Sequence, residues 1–431
     1  MRKKWCIIVI VNFRGSDIMD FNIKDFGAVG DGRLDTEAIQ RAIDAAAECG
    51  GRVIIEGGSY TSGTLRLRSR VELHIERGAT LVSSRSSGDL PAIPGYKSAD
   101  EMGMPMQSGR AFIIADGIEG AAITGGGKIN LSGDAYYEPK TGEFEGWSYK
   151  RKNDDIPRFG TIVVGSRDFT FEGVTYENIP SACWTLWIHG SAVVNIRAIK
   201  IFAKLEVPHT DGIHINSSKD VHVSDCTIIT GDDSLIVRAN NSSLKENLAC
   251  ERVTVTNCTV TSYSGGIRVG WVRDGVIRNC SFENIVMTDT TCGIDIFIPA
   301  DYPECSDHGR ENTLVDNLSF SNIIMNEIYG KPIKIHIAES EETYCEAVRN
   351  LHFNGIRATS LEFPLILGKK SSPVENVTFS DCSFTVVDEK KFPKDKKFHG
   401  PAAWSATSHT APDMVTNARG VIFSNTVFSK E

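Results

Sequence analysis

The sequence predicts an all-β chain wound as a parallel β-helix, a single-stranded solenoid of about ten coils, with one helix capping its N-terminal end. Three observations predict it. From about residue 110 to the C-terminus, short β-branched runs recur every ~20–30 residues, as in a stacked array. Most share one phrase, in which apolar alternation is broken by a polar pair and then resumes: Val253-Thr-Val-Thr-Asn-Cys-Thr-Val260, Gly275-Val-Ile-Arg-Asn-Cys-Ser-Phe282, Asn376-Val-Thr-Phe-Ser-Asp-Cys-Ser-Phe384. The phrase reads as strand, corner, strand, with Asn or Asp tolerating the left-handed backbone of the corner. The connections are too short and too rich in Gly and Asn for crossover helices, so successive repeats must pair directly. A β-sandwich would lack the fixed phrase.

Residues 1–18 form an N-terminal extension or a poor signal-like segment. Arg2-Lys-Lys precedes the apolar Trp5–Val11, but Asn12-Phe-Arg-Gly15 offers no small-residue cleavage site, and an upstream extension before a start at Met19 is the alternative. Residues 19–431 are expected to be a single solenoid domain. Its helix spans Asp35–Glu48, with Ile39, Ala42, Ile43 and Ala46 on one face, a cap at Asp35 or Thr36 and a stop at Gly50-Gly51. There it covers a strand edge that would otherwise recruit other chains. The stretch Gly133–Arg158, polar and carrying Trp147, leaves the repeat; it is either a wall of a binding groove or a plain surface loop.

A net charge of −9 argues against nucleic-acid or membrane-surface binding, because both are polyanions. No apolar run approaches the ~20 residues of a membrane helix. The eleven cysteines are odd in number and follow Asn or Asp at Cys226, Cys258, Cys280 and Cys382. They read as a reduced, buried ladder, which favours a cytoplasmic location while leaving secretion or a periplasmic one open. No cysteine spacing suits zinc, and neither metal nor cofactor is expected. A monomer is expected.

Two phrases carry the chemistry: His209-Thr-Asp-Gly-Ile-His-Ile-Asn216 and Gly231-Asp-Asp-Ser-Leu-Ile-Val-Arg238. One coil, containing Val221–Ile229, separates them, so Asp211, Asp232 and Asp233 stack at about the 4.8 Å spacing of neighbouring strands. Carboxylates that close cannot all ionise freely. A proton donor beside proton acceptors is the equipment for cleaving a glycosidic bond. The bland reading is that these are turn-forming Asp side chains.

With these residues in hand, the chain resembles glycoside hydrolase family 28, the polygalacturonases and their relatives, strongest over residues 178–240. Phe21-Asn-Ile-Lys-Asp-Phe-Gly-Ala-Val-Gly-Asp-Gly32, Trp184-Thr-Leu-Trp187, Pro208-His-Thr-Asp-Gly212 and Gly231-Asp-Asp233 carry the resemblance. It implies a right-handed solenoid acting on a carbohydrate substrate, a pectin-like or related acidic glycan, by inversion. It also implies that Asp232 is the general acid and that Asp211 and Asp233 activate water. A β-helix lyase using a cation held by the three Asp, or a catalytically silent carbohydrate-binding β-helix, are the alternatives.

The chain also departs from that family. The family's Gly-His-Gly histidine falls on Gly265, its carboxylate-gripping Arg-Ile-Lys falls on Asp295 and Phe297, its Asn before Thr-Asp is His209, and an expected His is Trp187. Aligning the strand mouths puts His214, Ile236, Arg268 and Asp295 in one column, and Asn216, Arg238, Gly270 and Phe297 in another. His209, His214, Arg238, Arg268, Asp295, Phe297 and Trp187 are therefore the candidate substrate contacts. Arg268 and Arg238 either grip a uronate, in two parallel hydrogen bonds, or, for Arg268, pair with Asp295. Phe297 and Trp187 either stack on a sugar or belong to the core.

Overall fold

The computed structural model describes residues 19–93, 108–141, 147–153, 155–301, 309–392 and 414–431, with Ser108 described in its backbone alone. Residues 1–18, where the extension or signal-like segment was expected, lie outside the described residues. The strands wind as a parallel solenoid with three faces. One face is an eleven-stranded parallel sheet running from Leu65–Arg66 to Val415–Thr416. It is called the cleft sheet below because it carries the three carboxylates. The other two faces share long bent strands such as Val276–Thr290 and Thr313–Ile328.

The corner phrase behaves as its chemistry requires. The residues before the four phrased cysteines, Asp225, Asn257, Asn279 and Asp381, all have φ between 54° and 59°. Stacked corners also bond to each other, as where Asn317 Nδ2 donates to Asn279 Oδ1 at 2.8 Å. The cysteine ladder needs one correction. Cys226, Cys258 and Cys382 lie in one column, as the pairings Thr227↔Thr259 and Arg357↔Ser383 imply, but Cys280 stands opposite Leu318 in another. A corner can thus fall at either of two places in a coil, which the phrase alone does not distinguish. All nine described cysteines are free thiols.

Inside the tube, apolar side chains stack at the coil pitch. Phe282, Phe320, Phe353, Phe379 and Phe423 form a ladder with centroids 4.8–4.9 Å apart and near-parallel rings, the spacing of neighbouring strands. The helix spans Thr36–Ala47 and buries Ile39, Ala42, Ile43 and Ala46. Asp35 precedes it without capping it; the carboxylate instead accepts from the Val29 and Gly30 N–H groups. Gln40 blocks the strand edge: its amide donates to Arg66 O and accepts from Arg66 N–H, taking the place of a further strand. No helix among the described residues is long and apolar enough to cross a membrane.

Candidate active site

Six successive strands of the cleft sheet build the site: Cys183–His189, Thr210–Asn216, Leu235–Arg238, Gly265–Val269, Cys292–Ile298 and Ile333–Ile337. Their registers run His214↔Ile236↔Arg268↔Asp295↔Lys334 and Asn216↔Arg238, as the column alignment expected and one strand further. Carrying the Ile213↔Leu235 pairing back two residues sets Asp211 opposite Asp233. Gly231 permits the tight turn into the Asp pair, since a Cβ there would meet Val207 O at 2.2 Å.

Each carboxylate has a distinct surround. Asp232 Oδ1 accepts the Asp233 N–H at 2.9 Å, and its Oδ2 lies 2.9 Å from His209 Nδ1. Asp233 Oδ1 accepts the Gly265 N–H at 2.8 Å, while Oδ2 stands 3.1 Å from Arg268 Nε. A side chain at Gly265 would put its Cβ 2.7 Å from Asp233 Oδ1. The backbone amide thus reaches the carboxylate at a position where no Cβ would fit without a shift.

Burial pushes the Asp233 carboxyl up; Arg268 opposes this, and the charges of Asp232 and Asp295 reinforce it. Burial also acts on Asp232, but the His209 hydrogen bond and charge outweigh it and hold that carboxyl below its usual range. This reverses the expected order, in which Asp232 was the protonated member. The cause is the His at position 209, whose Nδ1 stands 2.9 Å from Asp232 Oδ2.

The other expected contacts separate into two groups. His209 reaches the site and is half exposed, with a 52% accessible side chain. Arg268 reaches it too, but its guanidinium bridges Asp233 and Asp295, the latter at 3.2 Å, so the pairing alternative holds. Arg238 is spent on Asp274, through contacts of 3.0 and 2.7 Å, deep under the surface. Asp295 is fully buried and faces Arg268 and Lys334 instead of a substrate. Trp187 has Phe159 stacked at 4.6 Å and His189 at 4.3 Å, both nearly parallel to it, which leaves it no face for a sugar. Phe297 is packed by His336, Trp271 and Lys334. His214 is buried against the Trp184 ring, and its pKa is lowered by burial and then by the Arg238 charge, which keeps it neutral.

Sequence reasoning missed Trp271, Asp274 and Lys334, and left Trp147 open between a groove wall and a surface loop. Trp147 comes from the excursion: Nε1 donates to Gly231 O at 2.7 Å and the ring lies 4.7 Å from His209. The excursion is therefore a wall of the site, held by an antiparallel pair, Tyr137–Pro139 with Tyr149–Arg151. Lys334 was reachable by extending the column one strand, because Ile333-Lys-Ile-His-Ile337 repeats the same alternation. Among the described residues no group of three His, Cys, Asp or Glu is placed to hold a metal ion; the two adjacent Asp engage His209 and Arg268.

The sequence profile of the glycosyl hydrolases family 28 matches residues 95–400. The chain belongs to that family. A probable polygalacturonase of Vitis vinifera is 27% identical over 286 residues, covering 64% of this chain and 56% of the grape protein, so the match spans little more than half of that relative. An exopolygalacturonase of Arabidopsis thaliana is 22% identical over 367 residues, covering 78% of each chain. Among solved structures, the family 28 exopolygalacturonase of Yersinia enterocolitica superposes with a TM-score of 0.70 at 19% identity, covering 96% of this chain and 78% of that one. The structural likeness supports the right-handed parallel β-helix. Family membership favours hydrolysis over the lyase and non-catalytic readings.

Proposed function

We propose that this protein hydrolyses a glycosidic bond in a pectin-class glycan with inversion, using Asp211, Asp232 and Asp233. The observation that carries the reading is the split surround of Asp232 and Asp233: one carboxyl against an imidazole, the other against a guanidinium and a backbone amide. Two adjacent carboxyls with different neighbours can divide acid and base work; Asp232, the member held below its usual range, needs a proton source to act as the acid, and His209 stands against it. Asp232 passes a proton to the leaving oxygen, with His209 Nδ1 supplying it across the 2.9 Å contact. Asp211 and Asp233 orient and deprotonate the water, whose oxygen bonds to the anomeric carbon as the glycosidic C–O bond breaks. Gly231, Thr210 and Trp147 hold the loop that carries the pair.

The cations at this cleft have protein partners: Arg268 with Asp233 and Asp295, Lys334 with Asp295, Arg238 with Asp274, Lys331 with Glu362. A uronate at the cleavage point would therefore compete with built-in carboxylates, and a neutral or differently placed acidic sugar, as in rhamnose-containing pectin, suits the site better. The test is incubation with unbranched polygalacturonate, with rhamnose-containing pectic oligosaccharides, and with neither. New reducing ends, faster on the second substrate, are expected. Unsaturated products absorbing in the near ultraviolet, or no cleavage of either glycan, would overturn the proposal.

A further inference from the structure

Four side chains of alternating charge occupy four successive coils of the cleft sheet: Asp233, Arg268, Asp295 and Lys334. Arg268 touches Asp233 at 3.1 Å and Asp295 at 3.2 Å, and Lys334 Nζ touches the other Asp295 oxygen at 3.3 Å. The last three share one register column. These three are buried, with Arg268 8%, Asp295 0% and Lys334 2% exposed. Neither Asp295 oxygen meets an aligned hydrogen bond, so charge alone holds this carboxylate. As a device for stability this is poor, because an apolar pair of similar volume commonly serves a fold as well as a buried ion pair does.

We propose that Asp295 and Lys334 are positioning residues that hold Arg268 in place and, through it, set whether Asp233 carries a proton. Resting on the function proposed above, this assigns the control of the base to two residues that do not touch substrate. The logic is an alternation of sign. Lys334 draws Asp295 away from Arg268; Asp295 draws Arg268 away from Asp233. Removing the Asp295 charge releases Arg268 to Asp233 and favours the ionised Asp233. Removing the Lys334 charge leaves Arg268 as the sole partner of Asp295 and favours the protonated Asp233. The remaining charged groups facing this column are Asp211 and Asp232, His209 behind Asp232, and the Lys331–Glu362 pair at the far end. Asp295 also repels the Asp233 charge directly, an effect of the same sign as the one routed through Arg268.

The experiment reads Asp233 directly and needs no substrate. The full chain is labelled with ¹³C at the Asp side-chain carboxyl carbon and titrated by NMR, the Asp233 signal being assigned by its loss in Asp233→Asn. Asp295→Asn is expected to move the Asp233 midpoint down and Lys334→Met to move it up, each by about one pH unit. The double variant Asp295→Asn/Lys334→Met, which removes both charges together, is expected to titrate near the wild type. Shifts of the same sign in the two single variants, no shift in either, or a double variant displaced as far as a single one would overturn the proposal. Should one single variant fail to fold, the sign of the Asp233 shift in the other decides it: down for Asp295→Asn or up for Lys334→Met, with no shift or the opposite sign overturning the proposal. The pH profile of kcat/KM separates this from the function itself. If the NMR alternation appears while the profile stays fixed, the relay stands and the base role of Asp233 falls.

Discussion

Replacing Asp232 by Asn removes the proposed acid while disturbing almost nothing else, and the structure allows both halves of that statement to be sized. The amide oxygen still accepts the Asp233 N–H now bonded at 2.9 Å. On the other side Nδ2 meets His209, whose ring is half exposed and free to present its other tautomer. The lost contact joins a largely buried carboxylate to a half-exposed imidazole; a pair open to water on one side is worth about 1 kcal/mol, so Tm should move by no more than a few degrees. The catalytic loss belongs to another scale: a missing general acid costs ~10²–10⁴ in rate, or about 3–5 kcal/mol in the barrier. The assay uses two substrates of the same sugar. A natural oligosaccharide needs its leaving oxygen protonated, whereas a nitrophenyl glycoside leaves as a stabilised phenolate and does not. Asp232→Asn should lose the full factor on the first and less than about tenfold on the second. Equal losses on both would refute the acid role, as would activity within a few-fold of wild type on the oligosaccharide.

Arg238→Ala should lower stability by about 3–5 kcal/mol, because it strands the buried Asp274, while the folded fraction keeps kcat/KM within about threefold; denaturant melts and active-site-normalised rates check both. Restoring the family's histidine with Gly265→His should not raise activity but reduce it by tenfold or more, since the new Cβ falls 2.7 Å from Asp233 Oδ1. Initial rates on the preferred glycan decide it. Burial depresses the His189 pKa to about 3, against a hydrogen bond to the Asn216 backbone that raises it. The unfolded chain therefore binds this proton first, and the stability His189 confers is complete above about pH 6.5 and lost as pH falls toward 3. Tm measured from pH 7 to 4 should fall less steeply in His189→Gln than in wild type.

The sequence was legible wherever structure repeats. The Asn corners and the register that sets Arg268 beside Asp295 and Asn216 beside Arg238 follow from period, because each coil copies the one before. What stayed hidden depends on partners outside the period. Asp274 lies 36 residues beyond Arg238 at the far side of a turn, and nothing in its phrase marks it as a guanidinium clamp. Trp147 sits in a segment whose return path the repeat does not describe. For Trp187 and Phe297 the sequence left a sugar-stacking and a core reading open, and their covering side chains lie outside the repeat's signal: Phe159 and His189 against Trp187, and His336, Trp271 and Lys334 against Phe297. The proton order of Asp232 and Asp233 turned on one unrepeated residue, His209.

The Phe ladder carries a consequence for how the molecule melts. A stack in which every rung touches only the rung above and below behaves as a one-dimensional lattice, and its ends, with one neighbour each, are its weakest sites. Phe423 is such an end rung, while Phe320 and Phe353 have partners on both sides. The catalytic coils, from Cys183 to Ile298, contain Phe282, the other end rung of the ladder, but lie in the interior of the solenoid itself, which stacks on the same one-dimensional plan with further cleft-sheet strands beyond them on either side. Warming therefore frays the terminal coils first and leaves the carboxylates aligned until the middle gives way. The tube functions as a long buffer, in which coils remote from chemistry insulate a few central ones from thermal disorder.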